Sequence, residues 1–243
     1  MILILNLETM PMVDSILDID DRRHYVAKPV YNFQQEMFAV ELLARYKNRG
    51  LSSTKHPLQL SQSEKHNVLI DQLECISDKQ SYFIDNNVLV TINIDFVMAV
   101  FLLQNNYAAG LLQSLPFIHL KINEIFPNLN DGKRNPLLAK LYERYPLWLD
   151  DMGKGDANLY AVSQSVFSYI KLDKNFYYDM IKCKEDYVLL SLINNIKKFC
   201  NGVIVEGVQD HSEHEYLKRC GIHGMQGQLY PTYRLDNLPE LVE

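Results

Sequence analysis

The sequence has few of the features that would direct a protein to an oxidising compartment or a membrane. Its four cysteines are scattered and form no C-x-x-C pair, which favours ordinary thiols over a disulfide or zinc framework. The longest apolar runs, such as residues 97–103, are far too short to cross a bilayer. The opening MILILNL lacks a basic region and a cleavage site, so we expect no signal peptide. These absences predict a cytoplasmic protein.

A basic excess is also missing from the chain. Lys and Arg number 24 against 30 Asp and Glu, which gives a formal net charge of −6. This balance argues against nucleic-acid binding by the surface as a whole. It is compatible with a protein partner or with an anionic ligand in a local pocket.

Short runs rich in Val, Ile and Leu predict strands, and amphipathic segments between most of the later runs predict helices. The eight runs lie at 29–33, 37–45, 88–94, 116–122, 146–150, 168–173, 202–207 and 223–227. Apolar strands that alternate with helices are typical of a parallel sheet covered by helices. Eight of them in one domain favour an α/β barrel of the (β/α)₈ type. Only QQE separates the first two runs, which predicts an irregular hairpin at the start.

Polar residues interrupt the apolar runs near their carboxyl ends, where the functional side chains of such barrels lie. They are Glu41, Arg45, Asn93, Asp150, Asp151, Lys171, Asp173, Glu206 and Gln226. We expect these side chains around one mouth of the barrel. An oxygen-rich cluster of this kind suits Mg²⁺ or Mn²⁺. The alternative is that each is a solvated residue at a strand end.

The motifs around these residues resemble those of the EAL-domain family of cyclic-di-GMP phosphodiesterases. ELLAR, TINID, KINE, DDMGKGDANL, IKLD, VEGVQ and QGQLYP follow the order and spacing of the family's motifs. The resemblance begins near residue 25 and implies a modified TIM barrel. It implies a single domain over residues 1–243, with a lead-in at 1–24, the barrel at 25–235 and a tail at 236–243.

The resemblance also implies roles for the residues at the mouth. In active members, two divalent ions activate a water that attacks a phosphodiester bond. The metal-shell positions would be Glu41, Asn93, Asp150, Asp151, Asp173 and Glu206. Lys171, with Glu206, would be catalytic by holding the attacking water, and Arg45 and Gln226 would contact the dinucleotide.

Departures from the family pattern indicate a damaged site. The family's E-x-T-E motif reads KINE here, so that Lys121 stands where a metal-binding Glu is expected. A charged ammonium has no lone pair and cannot be a ligand. The loop after the two aspartates is altered at Lys154, Asp156, Ala157 and Asn158. We therefore expect no bound metal cofactor, and we expect Lys121 to pair with Asp150 and Asp151.

The stand-alone domain, Lys121 and the altered loop resemble a degenerate group within the family, the YdiV-type anti-flagellar factors. This likeness implies a bacterial regulator without phosphodiesterase activity. It would bind FlhD of the FlhD–FlhC complex and repress flagellar gene expression and motility, without direct contact with nucleic acid or membrane. The alternatives are a phosphodiesterase with a weakened two-metal site that uses Mg²⁺ or Mn²⁺, or a cyclic-di-GMP receptor without turnover. Replacing Lys121 with Glu should restore metal affinity without full activity.

Overall fold

A computed structural model describes residues 23–46, 60–155, 159–182 and 186–242, and shows a closed barrel. Strands β2 to β8 are parallel neighbours in chain order, while β1 runs antiparallel between β8 and β2 and closes the barrel. The strands are β1 (Arg23–Tyr31), β2 (Met37–Tyr46), β3 (Leu89–Asn93), β4 (Ile118–Asn123), β5 (Leu147–Met152), β6 (Tyr169–Leu172), β7 (Gly202–Glu206), β8 (Gly224–Gln226) and β9 (Tyr233–Arg234). The predicted α/β barrel and its opening hairpin are confirmed. The two-residue β9, which pairs with β1, was not predicted.

Helices follow most of the parallel strands and cover the outside of the barrel. They are α1 (Gln62–Asp78), α2 (Gln80–Asp85), α3 (Phe96–Gln104), α4 (Asn106–Gln113), α5 (Pro136–Tyr142), α6 (Leu159–Ser163), α7 (Lys174–Lys182), α8 (Asp186–Ile196) and α9 (His211–Arg219). Polar side chains cap the N-termini of several helices. Ser61 and Glu64 form a capping box on α1, and Asn135 caps α5 ahead of Pro136. Among the described residues, no helix is long and apolar enough to span a membrane.

The register of the β1–β2 hairpin determines which side chains of the antiparallel strand β1 face the barrel interior. The Asn32 side chain accepts hydrogen bonds from the backbone N–H groups of Gln34 and Glu36, which holds the turn. The resulting register places Lys28 directly opposite Glu41. Side chains directly opposite each other lie on the same face of a sheet. A cation from β1 therefore reaches the same mouth as the acids of the parallel strands.

Strand β5 carries an irregularity where its two adjacent acids lie. The pairing of β5 with β6 shifts between Leu149 and Met152, and Asp151 has a left-handed φ of 58°. In a regular strand, neighbouring side chains point to opposite faces. The shift breaks that alternation, and carboxylate oxygens of Asp150, Asp151 and Glu206 lie within 4.8 Å of one another.

The last described segment packs against the barrel rather than leaving it. A 3-10 helix spans Leu235–Val242, next to β9. Leu235 and Leu238 are buried in the main apolar core. The stretch predicted as a tail from residue 236 therefore covers part of the barrel.

Candidate functional site

An ion cluster fills the mouth of the barrel, and Lys171 lies at its centre. Its ammonium lies 3.2 Å from Glu41 Oε2, 3.0 Å from Asp150 Oδ1 and 3.1 Å from Glu206 Oε2. The Lys171 side chain is buried, and an unpaired buried ammonium would be very costly. The three carboxylates from β2, β5 and β7 compensate that cost.

Lys121 is the second cation of this cluster and is equally enclosed, with 1% of its side chain exposed. From β4, its ammonium makes ion pairs with Glu41 Oε1 and, at 2.9 Å, with Asp150 Oδ2. The expected pairing of Lys121 with Asp150 is therefore present in the structure. Asp151 contacts a different cation, with Lys154 Nζ 3.3 Å from its Oδ2.

A third cation, Lys28, was missed in the sequence. Its ammonium lies 2.6 Å from Glu206 Oε1, and both side chains are partly exposed. Lys28 lies inside an antiparallel strand, so a search of parallel strand ends does not find it. The available signal was the short hairpin, whose register brings Lys28 opposite Glu41.

These contacts shift the pKa values of the groups at the mouth. Burial by itself raises the pKa of Glu206, but Lys171 and Lys28 outweigh it and lower the value to about 2. Burial also opposes ionisation of Glu41, yet Lys121 and Lys171 hold its pKa well below the ordinary range. Burial lowers the pKa of Lys171, while the surrounding carboxylates raise it well above its usual value. All three groups are therefore charged at neutral pH.

Two amide side chains form hydrogen bonds with groups of the cluster. Asn93 Nδ2 donates to Glu41 Oε1 at 3.2 Å. Gln226 Oε1 accepts from Lys171 Nζ at 3.3 Å, and its Nε2 donates to the backbone carbonyl of Lys28 at 3.1 Å. Both amides thus orient charged residues of the mouth.

The other predicted site residues lie outside this ion cluster. Asp173 Oδ1 accepts hydrogen bonds from the backbone N–H groups of Asn175 and Phe176, so it caps the start of α7. Arg45 donates to the carbonyl of Ala44 at 3.2 Å and lines a neighbouring cavity. Asp150 and Asp151 line the same cavity, although the described contacts include no ion pair between Arg45 and these acids.

Asp151 has a different electrostatic environment from its neighbour. Burial and the charge of Asp150 raise its pKa, whereas Lys154 acts in the opposite direction. Lys154 is largely exposed, so the pair is well screened by water. The other altered loop positions, Asp156, Ala157 and Asn158, lie outside the described residues.

Two cavities flank the ion cluster. The first has a volume of about 340 Å³, and its lining includes Arg45, Met98, Lys121 and Ile125. The second has a volume of about 510 Å³ and lies beside Lys28, Glu206 and Tyr178. The mouth therefore has room for small molecules on both sides of a centre closed by ion pairs.

The donor set does not fit a pair of divalent cations. Glu41, Asp150 and Glu206 have all their carboxylate oxygens in contact with lysine nitrogens. Asp151 is the remaining acid of the group whose oxygens approach one another. Lys154 accompanies Asp151, so four carboxylates face four ammoniums. The group has no net negative charge to offset the four positive charges that two divalent ions bring.

Most of the chain is similar to known proteins. The EAL domain family matches residues 18–232 of the chain. The chain belongs to the EAL-domain family. The "putative anti-FlhC(2)FlhD(4) factor YdiV" of Escherichia coli K12 is 29% identical over 220 residues, which cover 88% of this chain and 93% of that protein. The crystal structure of the EAL-like domain protein YdiV superposes with a TM-score of 0.84 at 27% identity, and covers 91% of this chain and 96% of its own.

A named enzyme is almost as similar in sequence. The "cyclic di-GMP phosphodiesterase PdeH" of the same strain is 28% identical over 211 residues, covering 84% of this EAL-domain protein and 81% of its own length. Because the two identities are so close, they do not separate a regulator from an enzyme. The distinction between a regulator and an enzyme therefore has to come from the side chains at the mouth.

Proposed function

We propose that this protein is a degenerate EAL-domain regulator of the cytoplasm. It binds FlhD of the FlhD–FlhC complex, represses flagellar gene expression and motility, and does not hydrolyse cyclic-di-GMP. The observation that carries this proposal is the position of Lys121, whose ammonium lies between Glu41 and Asp150 in the barrel mouth. The relatives named as anti-FlhC(2)FlhD(4) factors supply the partner.

Loss of hydrolysis follows from the chemistry of this cluster. Metal-assisted attack on a phosphodiester requires cations that lower the pKa of a bound water and stabilise the entering and leaving oxygens. Lys121 and Lys171 occupy the oxygens of Glu41 and Asp150 on which such cations depend. Lys171, which would hold the attacking water in an active member, makes ion pairs with three carboxylates here. We therefore expect no metal cofactor and no turnover.

Hydrolysis of cyclic-di-GMP by a weakened two-metal site remains the second candidate function. Two observations favour it. The chain is similar to PdeH, and carboxylate oxygens of Asp150, Asp151 and Glu206 lie within 4.8 Å of one another. In that case Mg²⁺ or Mn²⁺ would have to displace lysine ammoniums from at least two carboxylates. Such a displacement leaves buried ammoniums unpaired, which costs several kcal/mol. We therefore place this candidate second.

The two functions are separated by a paired assay on the purified protein. One arm measures cyclic-di-GMP turnover with Mg²⁺ and with Mn²⁺, and the other measures capture of purified FlhD. The proposal predicts capture without turnover. Turnover comparable to that of PdeH, measured in parallel, would reject it, as would failure to capture FlhD.

A further inference from the structure

We infer that Lys28 and Lys121 are two internal counter-ions that together replace a pair of divalent cations in the barrel mouth. One lies at each end of the row of acids, with Lys171 between them. The inference concerns the charge balance of the mouth and does not depend on which protein partner is bound. It also makes Lys28 a determinant of metal exclusion, in addition to Lys121.

The distribution of contacts over individual oxygens carries this inference. Glu41 gives one oxygen to Lys121 and the other to Lys171, and Asp150 divides its oxygens in the same way. Glu206 gives Oε2 to Lys171 and Oε1 to Lys28. Without Lys28, Oε1 of Glu206 would lose its ammonium contact, and Glu206 is one of the three acids whose oxygens lie within 4.8 Å of one another. With Lys28, all six oxygens of these three carboxylates contact an ammonium.

The backbone of Lys28 is held between its two neighbouring strands, β2 and β8. Its β1 position pairs with Glu41 of β2, and its carbonyl accepts the hydrogen bond from Gln226 of β8. The side chain is 24% exposed and lies only 2.6 Å from Glu206. A flexible surface lysine would be released easily, whereas this one starts from a backbone fixed between two strands.

Restoring tight metal binding should therefore require two substitutions, whereas Lys121→Glu alone should restore weaker binding. Lys121→Glu adds a carboxylate and releases one oxygen of Glu41 and one of Asp150, but Glu206 stays engaged by Lys28. Lys28→Gln removes that charge and keeps a hydrogen-bond donor on a side chain that is one bond shorter. Groups that contact a ligating carboxylate change metal affinity by about 10- to 100-fold. We expect the double variant to bind Mn²⁺ at least about tenfold more tightly than Lys121→Glu alone.

The test is calorimetric titration of MnCl₂ into wild type, Lys28→Gln, Lys121→Glu and the double variant. Lys182→Gln, which breaks an exposed pair with Asp179, is the matched control for loss of one positive charge. We expect heat of binding at low millimolar Mn²⁺ from the double variant, weaker binding from Lys121→Glu, and none from wild type or Lys182→Gln. Equal Mn²⁺ affinity of Lys121→Glu and the double variant would overturn the role of Lys28. Tight binding of two ions by wild type would overturn the whole inference.

Thermal unfolding of the same variants keeps the test decisive if the double variant is unstable. A cation that binds only the folded state raises the unfolding temperature. We expect MnCl₂ to raise it most in the double variant and to leave it unchanged in wild type. A double variant that stays unfolded in millimolar MnCl₂ would contradict the inference, because cations would then fail to replace the ammoniums. FlhD capture, measured on wild type separately, tests the proposed function and does not enter this comparison.

Discussion

Lys171 and Lys121 are buried ammoniums that share the carboxylates of Glu41 and Asp150. Removing one member of a buried ionic group leaves the others uncompensated, which costs more than the intact group contributes. Loss of Glu41 should have a large effect, because Glu41 contacts both lysines, as Asp150 does, and also accepts a hydrogen bond from Asn93. The stability of the mouth thus depends on each charged residue of the cluster.

Glu41→Gln should accordingly destabilise the protein by about 3–5 kcal/mol, because two buried ammoniums lose a shared anion. Urea unfolding followed by circular dichroism measures the change. Asp179→Asn, which removes the acid of an exposed ion pair, is the control and should change stability little. Similar losses in the two variants would show that burial does not strengthen the cluster.

The lowered pKa of Glu206 gives a defined pH dependence. Its folded value of about 2 lies below the ordinary 4.5, so the unfolded chain takes up a proton first as the pH falls. The stabilisation by ionised Glu206 is therefore full above about pH 4.5 and is lost progressively towards about pH 2. In Lys28→Gln, one of the charges that lower this pKa is absent, and the free energy of unfolding should fall less steeply over this window. Urea unfolding at several pH values tests this, and parallel slopes for wild type and variant would contradict it.

The acids of the mouth were predicted from the ends of the strands in a parallel barrel. Lys121 was identified by the resemblance to the family, as a departure from its motif. The sequence did not predict which acids each lysine contacts. Asp151 pairs with Lys154, and Asp173 caps α7 instead of facing the cluster. These outcomes depend on the bulge in β5 and on a helix start. Neither is specified by the alternation of apolar and polar residues.

At the scale of elements, the end of β5 and the glycine after it shape the mouth. Gly153 has φ of +101°, and an added Cβ would lie 2.3 Å from the Phe176 ring of α7. An L-residue is strained at this φ, and the ring would have to move as well. The absence of a side chain at Gly153 therefore allows the end of β5 to pack closely against the start of α7.

Gly153→Ala should destabilise the protein by about 1–3 kcal/mol, from backbone strain and the clash with Phe176. Gly110→Ala is the matched control, since Gly110 lies in α4 and an added Cβ meets nothing within 4 Å. That change should stabilise by about 0.5–1 kcal/mol. Chemical denaturation of both variants measures the two effects. A neutral Gly153→Ala would show that the loop tolerates a different path.

At the scale of the whole molecule, the barrel was predictable because apolar strands and amphipathic helices alternate with few interruptions. The hairpin was predictable from three intervening residues, whereas β9 is too short to produce a pattern. Lys28 was missed because the antiparallel strand reaches the mouth in the opposite direction. The closed centre and two flanking cavities emerge only from the complete barrel.

In this protein, lysines neutralise the acids of the mouth, and we propose that the protein works by binding a partner without metal. The most direct test of this proposal is the affinity of the wild-type protein for purified FlhD, measured in excess EDTA and again in millimolar MnCl₂. We expect binding of the same affinity in both conditions, because lysine ammoniums and not metal cations balance the acids of the mouth. Absence of FlhD binding in both conditions, or binding that appears only with Mn²⁺, would contradict it.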